Sequence, residues 1–225
     1  LIALVGVAQL ATFGVVHLAT ERSVRAQLAE ELAVGERVWR RFHDARGEQL
    51  LETALVLADD FGLRAAVAGG DPATIRSAVG NHASRVGADA AFALDAGGRW
   101  LAGLDEQAWA QGAFASTLAQ AEREGFALAV VPVDGVLYQL ALIPVLAPQR
   151  IGWVGIGTTV DAGYADDFRT LTGLDASFAR TDASALRLYA SSLDDTAREA
   201  LAQLPPGSLP AGEALKDVAL GAEHW

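Results

Sequence analysis

The sequence predicts an α+β fold: a long helix at the amino end, a five-stranded antiparallel sheet with an inserted helix, and the start of a second, smaller sheet unit. Three observations carry that prediction. No proline occurs from Thr20 to Ala68, and Leu50, Ala54, Leu57, Phe61 and Ala65 recur at helical spacing. After Gly87 the apolar period changes to two, with turn signals at Ala96-Gly97-Gly98 and Asp134-Gly135. A two-residue turn at Asp134-Gly135 sets Tyr138 opposite Val131 and Gln139 opposite Val130, so both faces of that strand pair are mostly apolar and both need cover.

The 225 residues are 52% hydrophobic and 20% charged, enough apolar surface to bury a core, which excludes a disordered chain. Acidic side chains number 28 against 17 basic, and the net charge of −11 has the wrong sign for a nucleic-acid binder. With no cysteine there is no disulfide framework, no thiolate zinc site and no thiol nucleophile. The chain lacks methionine and opens on Leu1, which reads as a segment of a longer protein.

Residues 1–20 carry no formal charge over about the length of one bilayer span and read as a transmembrane helix, with a signal peptide or a buried core helix as rivals. Arg22 and Arg25 are balanced by Glu21, Glu30 and Glu31, so charge gives no orientation. A long signalling helix follows over 21–70, with Gly35 and Gly47 as weak points. Its stripe of Val24, Leu28, Leu32 and Trp39 precedes any sheet that could cover it, which predicts pairing with a second copy.

The first sheet unit is expected over 71–160. Asp71 caps its opening helix, Pro72 takes the first position, Ile75, Val79, His82 and Val86 share a face, and Gly87 closes it. Strands are expected over 90–95, 99–102, 126–133, 136–146 and 151–160, with the inserted helix over 105–123. Asp161 caps a linking helix over 161–173 that bears Tyr164, Phe168 and Leu171 and stops at Gly173. The second unit, 174–225, has strands over 174–179 and 186–191, then a helix with Ser192 and Asp195 in a capping-box pattern. Pro205-Pro206-Gly207 breaks that helix, and the unit reads as truncated before its final strands.

This order resembles the double Cache sensor domains of bacterial transmembrane receptors, in the variety found ahead of diguanylate cyclase (GGDEF), phosphodiesterase (EAL) and histidine kinase modules. The stretches that carry the likeness are residues 46–51 (RGEQLL), 58–62 (ADDFG), 81–89 (NHASRVGAD), 152–155 (GWVG) and 168–175 (FRTLTGLD). The resemblance implies an extracytoplasmic, PAS-like fold, a small-molecule pocket in the membrane-distal unit and signalling through paired helices. The family's amino-acid-binding pattern, an Arg-x-Trp-Tyr run with a downstream Asp, is not matched by Arg40-Arg41-Phe42, so an amino-acid ligand is unsupported.

No catalytic or cofactor motif emerges. His17, His43, His82 and His224 have no partner at metal-ligand spacing, and no phosphate loop, nucleophile elbow or dinucleotide fingerprint occurs. Asp59-Asp60 and Asp166-Asp167 are neighbours that diverge by about 100 degrees on a helix, so they read as surface and dipole-compensating carboxylates. His82 lies on an apolar face three residues before Arg85. It is either a hydrogen-bonded core histidine or, with Arg85, part of a pocket for an anionic ligand. Trp100, Tyr138 and Trp153 on the strands are either core or ligand contacts. Gly155 and Gly157 leave the face beside Trp153 bare, for a close helix or a cavity. A cavity is therefore expected between these three aromatics and the 105–123 helix, with His82 and Arg85 adding polar groups.

The function expected is ligand sensing in the periplasm by an inner-membrane receptor that works as a homodimer, binds an unidentified small molecule and carries no enzyme activity in this segment. The output module is expected to be a cyclic-di-GMP enzyme or a histidine kinase. The alternative is a membrane-anchored interaction module that dimerises through the long helix without a small ligand.

Overall fold

The computed structural model describes residues 2–103, 106–110, 112–181 and 186–205, without the side chains of 2–22, 24–26, 28–29, 108 and 181. Among the described residues no helix is long and apolar enough to cross a membrane. The side chains of the span expected over 1–20 and of Val24 and Leu28, the helix start at Asp105 and the chain from 206 to 225 lie outside them.

Helix α1 runs Ile2–Ala58 and α2 runs Phe61–Gly69. The expected single helix therefore breaks at Asp59-Asp60, although the apolar spacing runs on through Phe61. Asp60 adopts extended backbone (φ −63°, ψ 127°), and its Oδ1 accepts from Leu63 N at 2.8 Å. A capping carboxylate restarts a helix in this way by satisfying a first-turn N–H. Helix α3, Pro72–Val86, begins as expected, with Asp71 accepting from Thr74 N.

Strands β1 (Ala90–Asp95) and β2 (Trp100–Gly103) form the first hairpin, where Asp95 accepts from Gly97 N and Arg99 N. The inserted segment holds two helices in place of one, α4 (Glu106–Ala110) and α5 (Ala115–Glu124). Strands β3 (Ala127–Val133) and β4 (Val136–Leu146) meet at Asp134-Gly135, both at positive φ (48° and 82°), the turn type that follows strand twist. The register sets Tyr138 against Val131 and Gln139 against Val130. Strand β5, Arg150–Thr159, completes a sheet of order β2-β1-β5-β4-β3, antiparallel throughout.

Helices cover both faces. Leu50, Ala54 and Leu57 of α1, Leu63 of α2, and Ile75 and Val79 of α3 bury against Ala93, Ala141, Ile143, Val154 and Ile156. The alanines on the strands give the helices room to approach. On the opposite face Phe92, Leu94, Leu140, Leu142 and Trp153 bury with Phe114 and Ala121 from the α4–α5 segment. Gly155 is occupied by neither a close helix nor a cavity: a Cβ there would overlap the ring of Phe92, its cross-strand partner on β1.

Gly47 is a close-approach position in α1, because a Cβ would stand 3.3 Å from both Gln139 Nε2 and Leu128 Cδ1. Gln139 is buried, and its Nε2 donates to the His43 carbonyl at 3.1 Å, pinning the sheet to α1.

Helix α6, Ala162–Thr172, is capped by Asp161 and ends at Gly173, which has φ 74°. A two-stranded sheet follows, β6 (Ser177–Thr181) with β7 (Leu186–Ser191), and then α7 (Asp195–Ala202). The cap of α7 is Asp194, whose Oδ1 accepts from Ala197 N at 2.8 Å, rather than Ser192. The Ser192 hydroxyl instead accepts from Ala176 N and donates to Asp175 Oδ1, both at 2.9 Å, tying the start of β6 to the end of β7.

The second sheet docks on α1 through rings. Trp39 packs within 5.1–6.0 Å of Tyr164, Phe168 and Phe178, and Phe42 stands 5.1 Å from Tyr164. Trp39 is thus covered within its own chain, which removes it from the stripe expected to seek a second copy. Burial pushes the Tyr164 phenol up to about 12, against the opposing effect of the Arg46 guanidinium. It stays a neutral hydroxyl, 3.2 Å from His43 Nδ1.

Candidate ligand-binding site

The five candidate residues divide between the two faces of the main sheet. Trp153 pairs with Leu94 across β5 and β1, and Trp100 pairs with the same Leu94 from β2, so the two tryptophans flank it on the α4–α5 face. Tyr138 shares that face but pairs with Thr159, six residues along β5 from Trp153. At about 3.3 Å per residue, roughly 20 Å separates them. His82 and Arg85 lie on α3, behind the sheet. One cavity drawing on all five is therefore ruled out by the strand register and by the side on which α3 packs.

The tryptophan end of the face is built of rings. Phe92 stacks on Trp100 at 5.6 Å with 19° between planes, and Trp109 stacks on Phe114 at 5.4 Å. Phe92 also meets Trp109 and Phe114, at 5.9 and 5.5 Å. Trp153 is 1% exposed, and the Arg150 guanidinium lies 4.5 Å from its ring centroid. Among the described residues its indole N–H has no hydrogen-bond partner. A buried donor without an acceptor costs free energy and is uncommon in folded proteins. At the far end, burial pushes the Tyr138 phenol up, helped by the Asp89 and Asp134 carboxylates, so it is a neutral hydroxyl over the physiological range.

Behind the sheet, α2 and α3 enclose an open groove of about 620 Å³ lined by Asp60, Ser77, Asn81, His82 and Arg85 among others. His82 Nε2 lies 3.3 Å from Asp60 Oδ1. The Asp60 carboxyl is held below its ordinary value, first by the Leu63 N–H, against some desolvation and with help from His82. Asp60 is thus a cap and a groove residue, which its reading as a surface carboxylate missed; an Asp three residues before an apolar helix position was the available signal. Trp109, Phe92 and Phe114 were also missed, because nothing local in sequence places an inserted segment over a particular strand. Among the described residues no three His, Asp or Glu side chains converge on a metal-sized site.

The periplasmic domain of Vibrio cholerae LuxQ superposes with a TM-score of 0.50 at 14% identity, covering 72% of this chain and 79% of that one. The Escherichia coli DcuS sensor domain gives a TM-score of 0.45 at 17% identity over 52% of this chain and 91% of that one. At such identities the LuxQ likeness shows the fold alone. No curated protein matches significantly. The family model dCache_3, described as the double sensory domain of two-component sensor kinase, matches residues 25–215. The match takes in α1 from residue 25 onward, the five-stranded sheet and the second sheet, and the chain belongs to the dCache_3 family of double sensory domains.

Proposed function

We propose that the chain is the extracytoplasmic, ligand-recognising part of a membrane-anchored receptor, and that its small molecule binds on the α4–α5 face against Trp100 and Trp153. The observation that carries the reading is the Trp153 N–H: buried, without an acceptor among the described residues, and in the same core cluster as rings of the sheet and of the inserted segment. Apolar walls with a few convergent polar groups are the usual make-up of a small-molecule site. Tyr138, at the far end of the face, would contact only an extended ligand. The domain's part is recognition, without chemistry of its own.

Residues 1–20 would supply the membrane anchor, and α1, about 85 Å long for its 57 residues, would carry the signal by a population shift between packings. The stripe of Val24, Leu28 and Leu32 on α1 would pair with a second copy. The family's description favours a histidine kinase output over a diguanylate cyclase or phosphodiesterase. The test is thermal stabilisation across a panel of small metabolites. A stabilising metabolite should lose affinity by up to about tenfold in Trp153→Phe, which removes the N–H and keeps a ring. Equal affinity in both proteins would overturn the site.

A further inference from the structure

The groove between α2 and α3 lies on the opposite side of the sheet from the tryptophans, and its chemistry differs. It is an open surface groove, and Ser77, Asn81 and Arg85 on its wall are exposed. Along α3, Ser77, Asn81, His82 and Arg85 fall at the three- and four-residue spacings that put side chains on one side of a helix. Asp60 and Gly62 form the facing wall at the start of α2.

Charge decides what fits. Asp60 Oδ1 accepts from the Leu63 N–H at 2.8 Å and lies 3.3 Å from His82 Nε2. Arg85 has no ion pair or hydrogen bond among the described residues, and neither do the Ser77 hydroxyl and the Asn81 amide beside it. The groove therefore pairs a capping carboxylate, engaged through one oxygen, with an open guanidinium flanked by two neutral donors. We propose that it is a second ligand site, which takes a small oxyanion, a carboxylate or phosphate group, on Arg85 with Asn81 and Ser77 alongside. A guanidinium presents paired N–H donors that match two oxygens of either group. The chain's net charge of −11 repels anions at long range, so binding depends on these short contacts.

The proposal stands apart from the aromatic site and is tested apart from it. The full chain is titrated with inorganic phosphate and, separately, with acetate, at ionic strength held constant with chloride, while amide and arginine side-chain resonances are followed. Saturable shifts confined to 60–63 and 74–85 are expected. Arg85→Gln should weaken binding by about tenfold, since a charge-assisted hydrogen bond is lost. Arg76→Gln, on the same helix but outside the groove, should leave it unchanged. A response to phosphate alone identifies a phosphate group, one to acetate alone a carboxylate, and one to both a general oxyanion site. Shifts that fail to saturate in the millimolar range, or that saturate equally in Arg85→Gln, overturn the proposal.

Discussion

Asp60 concentrates several properties at one position. It ends the run of α1, caps α2 and holds His82 of α3, so its removal should act on α2 before it reaches the sheet. Asp60→Ala is expected to cost about 1 kcal/mol, the usual loss for a capping side chain, seen as a lower urea midpoint at unchanged slope. Asp60→Asn should recover most of it, because an amide oxygen can still accept from Leu63. The pH dependence has a definite sign. The folded-state carboxyl lies below its ordinary value of 3.8, so the stability it contributes is present above that value and is lost as pH falls through the lower folded one. Acid titration of the urea midpoint should show this component in the native chain and not in Asp60→Asn.

Trp39 occupies the corresponding place among the elements. It joins α1 to α6 and β6, with Phe42 of α1 beside it on Tyr164 and Phe168. Trp39→Ala should cost about 3 kcal/mol, the low end for a large aromatic because the residue is half-buried. Amide exchange should quicken in β6 and β7 while β1, β4 and β5 keep their protection, since the main core lies elsewhere. The elements readable from sequence were those written in local chemistry. Asp71-Pro72, Asp134-Gly135 and the Asp161 to Gly173 helix each carry their own start or stop within a few residues. The α1–α2 break was hidden because Phe61 continues the apolar spacing across it, although Phe61 proves 81% exposed. The candidate site was half legible for a similar reason. The strand and turn signals put Trp100, Tyr138 and Trp153 on neighbouring strands, but their shared face and the distance between them follow from register, and the placement of α3 behind the sheet follows from chain topology.

At the scale of the whole molecule, the two faces of one sheet hold two different chemistries. An aromatic face under α4 and α5 carries an orphaned indole donor, and a polar groove between α2 and α3 opens beside the α1–α2 break. A ligand on either face can bias α1 only by preferring one packing of the layers over another. The aromatic face bears the proposed sensory role, and its tryptophans report on it directly: Trp100, Trp109 and Trp153 cluster there, while Trp39 sits at the second sheet. The most direct measurement is a titration of tryptophan emission with whichever metabolite of the panel stabilises the chain most. A saturable change is predicted that persists in Trp39→Phe and is lost when Trp100, Trp109 and Trp153 are all replaced by Phe. A stabilising metabolite that leaves the emission unchanged, or a change that survives that triple replacement, would contradict a ligand site on this face.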